Sequence, residues 1–181
     1  MSPASPDPHP SPGHGAAQTA VATSGRVVLF GATGYTGDLT AREMVRRGMK
    51  PVLAARNGAR VNALAEELGG LETQLADVSD PGSVAALVEA GDVLVSTVGP
   101  FSRWGRPALD AAISKGAHYL DSTGEGPFIR DVFEAYGPRA ASAGVGLLTA
   151  MGTTTCPGTS PAHWRCAKVA RTSAGSRSGT S

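Results

Sequence analysis

Three glycines with the spacing G-x-x-G-x-x-G follow a short apolar run near the start of the chain. Gly31, Gly34 and Gly37 come directly after residues 27–30, which read Val-Val-Leu-Phe. One glycine can turn the chain sharply off a strand, another lets the backbone approach a pyrophosphate, and a third packs the following helix against the sheet. That helix then presents its free N–H groups to the phosphate. The pattern predicts a dinucleotide-binding turn, the alternative being a purely structural glycine-rich turn.

An arginine ends the predicted second strand, about 20 residues beyond the glycines, where a fold that selects NAD carries an acidic residue. Arg56 can instead hold the 2′-phosphate of NADP through its guanidinium and stack on adenine. Arg60 lies close enough in sequence to assist. This position favours NADP(H) as the cofactor, the alternative being a solvated arginine at the end of a strand.

Two more loops are expected to border the nucleotide, because they follow predicted strands at the same edge of the sheet. Asp77 lies just beyond the third strand, where it either hydrogen-bonds adenine or only shapes the loop. The end of the fourth strand is predicted to lie beside the ribose and nicotinamide, although Gly99 and Pro100 also fit an ordinary turn. The predicted cofactor-binding residues are Gly31, Thr33, Gly34, Tyr35, Thr36, Gly37, Arg56, Asp77, Thr97, Val98, Gly99 and Pro100.

No residue is assigned as a catalytic acid or base. Tyr35, Tyr119 and Tyr136 lack the lysine, four residues on, that a short-chain dehydrogenase pairs with its tyrosine. The polar run 121–125 follows the fifth strand and can face a substrate, but helix capping is the alternative for its hydroxyls. His118 begins that strand and is predicted to be a packed or surface histidine.

Apolar strands alternate with amphipathic segments from Arg26 onward, which is the pattern of β-α-β units. Strands are predicted at 27–30, 51–55, 71–76, 92–98, 118–121 and 145–149. Helices are predicted at 35–47, 61–68, 81–88, 106–114 and 128–136, the last broken or kinked at Gly137 and Pro138. The fold class is therefore α/β, a doubly wound parallel sheet (Rossmann NAD(P)-binding fold). Its expected order is 3-2-1-4-5-6, with the ligand where the order reverses.

The length of 181 residues allows one ordinary domain. A net charge of +1 leaves no electrostatic footprint for nucleic acid or a membrane surface, so a cytoplasmic protein is expected. Cys156 and Cys166 lack the spacing of a zinc site, and no metal is predicted. We expect a disordered leader at 1–24, the nucleotide-binding domain at 25–152, and an unstructured tail at 153–181.

Four motifs, at 31–37, 54–57, 96–101 and 116–125, resemble the saccharopine dehydrogenase-like oxidoreductases, and most nearly their bacterial trans-acting enoyl reductase branch. The resemblance covers about residues 25–152. It implies that the domain binds NADPH, and that the complete protein adds a substrate domain missing here. It further implies hydride transfer to an activated double bond of a lipid or polyketide-type enoyl substrate. The isolated chain is expected to be inactive. The alternatives are a non-catalytic NADP-sensing regulatory protein and a pseudogene product, and the oligomeric state stays open.

The resemblance stops after Gly152, where helical and strand periodicity also end. GC-rich codons for residues 153–166, read one base earlier, encode a run beginning tyrosine, aspartate, tyrosine, valine, proline, glycine. That run resembles what the family carries at this place. We therefore interpret the tail as the product of a single-base frameshift near residues 151–153, in the gene or in its sequencing, which replaced the substrate domain.

Overall fold

The computed structural model describes residues 25–151. Six strands form one sheet in the order β3-β2-β1-β4-β5-β6, and every neighbouring pair is parallel. The strands are β1 (Val27–Phe30), β2 (Val52–Ala55), β3 (Thr73–Leu75), β4 (Val93–Ser96), β5 (His118–Asp121) and β6 (Leu147–Leu148). The predicted fold class and strand order are confirmed. The predictions for 1–24 and 152–181, which include both cysteines, lie outside the described residues.

Helical segments connect the strands. They are α1 (Tyr35–Arg46), α2 (Gly58–Glu67), α3 (Pro81–Ala85), α4 (Phe101–Trp104), α5 (Arg106–Lys115), α6 (Gly126–Asp131), a π-helical turn (Val132–Tyr136) and α7 (Gly137–Ala143). The sequence did not predict α4, because four residues are too few to show a helical period. The helix also does not end at Gly137 and Pro138. The π-helical turn precedes them and α7 continues, since a proline in a first helical turn removes no intrahelical hydrogen bond.

Two apolar layers cover the sheet. Helices α1 and α2 pack on one face, where Leu29, Leu53 and Val61 are fully buried. The second and larger layer includes Val28 and Leu109, and α3, α5 and α7 contribute to it. Alternate residues of β1 therefore belong to opposite layers, as the period of a strand requires. None of the helices within residues 25–151 is long and apolar enough to cross a bilayer.

A buried carboxylate fixes the amino-terminal ends of the two central strands. Asp92 precedes β4 and is 4% exposed. Its Oδ1 accepts the backbone N–H of Arg26 at 2.8 Å, and its Oδ2 accepts the Arg26 guanidinium and the Glu89 backbone N–H, both at 3.0 Å. Burial acts to raise the pKa of Asp92, but the backbone hydrogen bonds from Glu89 and Arg26, with the guanidinium, hold that pKa below its ordinary value. The start of β1 is thus tied to β4 by a charged group.

Replacing this carboxylate tests its contribution. Asp92→Asn is expected to lower the free energy of unfolding by about 1–3 kcal/mol, because it leaves buried donors poorly paired. Urea unfolding followed by circular dichroism measures the change. Asp110→Asn is the matched control, since Asp110 pairs with Arg139 at 2.8 Å with both side chains about half exposed, and it should cost no more than about 0.5 kcal/mol.

The same contribution depends on pH. Because folding lowers the pKa of Asp92, its stabilisation is complete above the unfolded-state value of about 3.9 and is lost as the pH falls through the folded-state value. The difference between wild type and Asp92→Asn should therefore shrink in acid. If Asp92→Asn and Asp110→Asn lowered the free energy of unfolding equally at neutral pH, the stabilising role of the Asp92 carboxylate would be contradicted.

Candidate functional site

The first residue of the glycine turn, directly after β1, has a backbone conformation that favours glycine. Gly31 has φ of +89°, and a Cβ there would lie 2.8 Å from Thr97 Oγ1. The backbone N–H groups of Gly31 and Ala32 both donate to the carbonyl of Ala54, at 2.9 and 3.1 Å. The turn is thereby attached to the end of β2 as well as to β1.

The other two glycines of the motif have different surroundings. A Cβ on Gly37 would lie 2.1 Å from the Gly31 carbonyl oxygen, so α1 can pack on the turn only without a side chain there. A Cβ on Gly34 would meet only that oxygen, at 3.4 Å. Gly34 is the exposed N-cap of α1, and no side chain caps this turn of the helix. Since the first N–H groups of a helix have no intrahelical acceptor, this end of α1 suits an anionic group.

An open cleft of about 640 Å³ lies at the carboxyl ends of β1 to β4. The predicted residues that line it are Gly31, Thr33, Gly34, Arg56, Asp77, Thr97, Val98 and Gly99. Tyr35, Thr36, Gly37 and Pro100 do not line it. Tyr35 is 85% exposed and borders a separate hollow between α1 and α2, while Gly37 is buried below the turn. The structure thus brings two thirds of the predicted set to one cleft.

One end of the cleft is formed by the loops after β2 and β3. Arg56 is exposed there. Asp77 Oδ1 accepts the backbone N–H and the hydroxyl of Ser79 at 2.9 and 2.8 Å, which gives it the loop-shaping role. These bonds, with a smaller contribution from the charge of Arg56, lower the pKa of Asp77. The carboxylate still lines the cleft, so loop shaping and nucleotide contact do not exclude one another.

The start of α2 holds a second arginine against the glycine turn. The Arg60 guanidinium donates to the Thr33 carbonyl at 3.2 Å, and Asn57 Oδ1 caps α2 by accepting the Arg60 backbone N–H at 3.0 Å. Asn57 also lines the cleft, although it is not among the predicted cofactor-binding residues. An asparagine directly before a helix was the available signal.

The other end of the cleft is formed by the loop after β4. The Thr97 hydroxyl lies 3.0 Å from the Phe30 carbonyl oxygen and 3.2 Å from that of Gly31, which links this loop to β1. The peptide between Gly99 and Pro100 is cis. Trp104, in the unpredicted α4, also lines the cleft.

The run 121–125 does not line the cleft. Asp121 is 1% exposed, and its carboxylate accepts the Thr149 hydroxyl at 2.9 Å and the backbone N–H of Ala150 at 3.0 Å. His118 is half-buried, and its Nδ1 accepts the Gly146 N–H at 2.9 Å. Within residues 25–151 there is no group of three acidic, histidine or cysteine side chains placed to hold a metal ion.

Comparison with known sequences identifies relatives for most of the chain. The model of the saccharopine dehydrogenase NADP binding domain matches residues 27–148. A Mycobacterium tuberculosis protein provisionally named a trans-acting enoyl reductase is 38% identical over 137 residues, 72% of this chain and 33% of that protein. The trans-acting enoyl reductase of Mycobacterium ulcerans is 34% identical over the same coverage. This chain therefore spans about a third of the length of these relatives.

Solved structures share the fold. Saccharopine dehydrogenase (L-Glu forming) from Saccharomyces cerevisiae superposes with a TM-score of 0.57 at 19% identity, covering 71% of this chain and 27% of that one. Triphenylmethane reductase from Citrobacter sp., complexed with NADP(H), gives a TM-score of 0.52 at 17% identity, covering 68% and 48%. At such identities the likeness is one of fold.

The close packing of α1 on the glycine turn can be tested by its effect on stability. Gly37→Ala is expected to lower the free energy of unfolding by about 2 kcal/mol, because the new methyl group would overlap the Gly31 carbonyl. Gly34→Ala should cost less than about 1 kcal/mol, since Gly34 is exposed and has a φ of −81°. Urea unfolding of both variants compares them, and equal losses would show that the close packing of Gly37 does not matter.

Proposed function

This chain belongs to the saccharopine dehydrogenase NADP-binding domain family, and we propose that its cleft binds NADP(H) for an oxidoreductase that reduces an activated double bond. The observation that carries the proposal is that residues from several strands meet in one cleft. The glycine turn, Arg56 and Thr97 follow three different strands and line one cleft. The cleft lies beside β1 and β4, where the strand order reverses and ligands of such sheets bind.

The described residues fit the cofactor in charge and in shape. Gly34 is exposed at the uncapped start of α1, which suits a pyrophosphate. No carboxylate follows β2 directly, and exposed Arg56 stands in that position, which suits a 2′-phosphate. We propose that Asp77 and Ser79 border the adenine.

The opposite end of the cleft then belongs to the nicotinamide. We propose that Thr97, Val98 and Gly99 border its ribose and ring, with Trp104 beside them. When bound, the reduced nicotinamide supplies the hydride. The role of this domain's residues is to bind the cofactor and to orient its reactive ring toward the acceptor. We also propose the cytoplasm as the location, on the sequence evidence alone.

The substrate is proposed from the named relatives. They are named trans-acting enoyl reductases, so we propose an enoyl group as the hydride acceptor. We propose that this group belongs to a lipid or polyketide-type substrate, as the family resemblance of the sequence motifs implies. This chain matches only a third of their length, and we propose that the remaining two thirds bind the substrate. The chain by itself would then bind cofactor without turning over an enoyl compound.

A non-catalytic NADP sensor is the second candidate. It is favoured by the cleft lining, which among residues 25–151 includes no tyrosine, lysine, histidine, cysteine or glutamate, and whose one carboxylic residue, Asp77, accepts hydrogen bonds from Ser79. In this alternative the bound nucleotide would bias a surface that a partner recognises.

For the tail we propose a frameshift near residues 151–153. The support is the family-like run that appears when the codons for 153–166 are read one base earlier. Resequencing the gene across these codons tests it. An extra base would restore a full-length reductase, whereas an unchanged reading frame would refute the frameshift.

Cofactor choice tests the role of Arg56. Arg56→Asp is expected to weaken NADPH binding by about 10- to 100-fold, because a charge-assisted bond to the 2′-phosphate is lost, while NADH binding should change little. Calorimetric titration measures both. Arg130→Asp is the control, since Arg130 is exposed on α6 and does not line the cleft. Equal weakening of the two cofactors would contradict the assignment.

Turnover separates the two candidate functions. We expect the 181-residue chain to bind NADPH without oxidising it in the presence of enoyl thioesters, and the frame-restored protein to oxidise it. The measurement is the loss of NADPH absorbance. Binding by both proteins with turnover by neither would favour the sensor.

A further inference from the structure

We propose that Glu125 is a positioning residue for the nicotinamide half of the bound cofactor, acting through α4. The inference rests on the proposed function, because it concerns how the same cleft is held in shape. Glu125 does not itself line the cleft. Its carboxylate instead holds the segment that follows the proposed nicotinamide loop, 97–100.

The contact is made through both carboxylate oxygens. Oε1 accepts the backbone N–H of Phe101 at 2.6 Å, and Oε2 accepts that of Ser102 at 3.0 Å. The Ser102 hydroxyl also donates to Oε2. The hydrogen bonds from the Ser102 hydroxyl and from these two N–H groups lower the pKa of Glu125, so the group is a carboxylate near neutral pH. A single side chain thus binds the first two residues of α4.

Helix α4 is also held by aromatic packing. Phe101 is buried, with its ring centroid 5.7 Å from that of Phe128. A Cβ on Gly105 would lie 2.4 Å from the Phe128 ring, so the chain after α4 also packs closely there. Glu125 and Phe128 therefore both hold the start of α4, the first by hydrogen bonds and the second by ring packing. Trp104, at the end of this short helix, lines the cleft.

Glu125 is itself held by the interior of the domain. Its backbone N–H donates to Thr123 Oγ1 at 3.1 Å, and the N–H of Thr123 donates to buried Asp121 Oδ1 at 3.0 Å. Both Thr123 and Asp121 are 1% exposed. The loop that carries Glu125 is therefore preorganised by the core before any ligand binds, which is what a positioning group requires.

The two ends of the cleft are built independently of each other. The proposed adenosine end rests on the loops after β2 and β3, where Asp77 bonds Ser79 and Asn57 bonds Arg60. Within residues 25–151, none of these four residues hydrogen-bonds Glu125. Loosening α4 should therefore weaken contacts to the nicotinamide half and leave those to the adenosine half intact.

Two ligands separate this role from a general structural one. NADPH occupies both ends of the proposed site, whereas adenosine 2′,5′-bisphosphate carries the adenosine, its 2′-phosphate and one 5′-phosphate, and lacks the nicotinamide half. In calorimetric titrations of the 181-residue chain, Glu125→Gln is expected to weaken the binding of NADPH about 10-fold, because the charge and part of the hydrogen bonding are lost. The bisphosphate should bind as to wild type. Glu134→Gln, at an exposed glutamate of the π-helical turn, is the matched control and should change neither affinity.

Other outcomes would overturn the proposal. Equal weakening of both ligands would show that Glu125 stabilises the domain as a whole, and no weakening of NADPH would show that α4 does not position the nicotinamide. If Glu125→Gln does not fold, Ser102→Ala is tested instead, since it removes one hydrogen bond to Oε2 from an exposed residue. Ser102→Ala should weaken the binding of NADPH about 3-fold and leave the binding of the bisphosphate unchanged. Failure of wild type to bind either ligand would instead refute the proposed function, and this inference with it.

Discussion

The approach of α1 to the turn after β1 is the constraint on which the cleft depends. Gly31 takes a left-handed backbone, and the Cβ that Gly37 lacks would overlap the Gly31 carbonyl oxygen. The helix can therefore start directly above the end of the central strand, with its uncapped N–H groups beside the cleft. Any side chain at Gly37 would push α1 away from β1. The same packing that completes one apolar layer thus also creates the place for a pyrophosphate.

Two buried carboxylates hold opposite ends of the sheet around this turn. Asp92 ties the start of β1 to β4, and Asp121 ties the end of β5 to the residues after β6. Each accepts several hydrogen bonds, as a buried charge must if its desolvation is to be offset. Asp92 acts at the amino-terminal ends of β1 and β4, whereas Asp121 acts at the carboxyl end of β5. Glu125 extends the second of these anchors to α4 through Thr123.

Local patterns predicted the fold, and they also indicated residues that the structure brings together in one cleft. Alternating strands and helices, with the glycine turn after the first strand, indicated six parallel strands and their order. Arg56 and Asp77 line one cleft because each directly follows a strand, and parallel strands end at the same edge. Other residues of that cleft were not predicted. Trp104 was missed because α4 has only four residues and shows no period, and Asn57 because its capping signal was not considered.

The sequence by itself determined the fold class, the strand order and the glycine turn, because each depends on periodicity or on spacing within a few residues. The tertiary structure alone decided which polar groups face the cleft and which support it. Asp121 and Glu125 belong to one run that fitted either role, and they prove to bond the end of β6 and the start of α4. Those partners lie 29 and 24 residues away along the chain. Contacts over such distances arise from the crossing of strands and helices in space, and no local pattern specifies them.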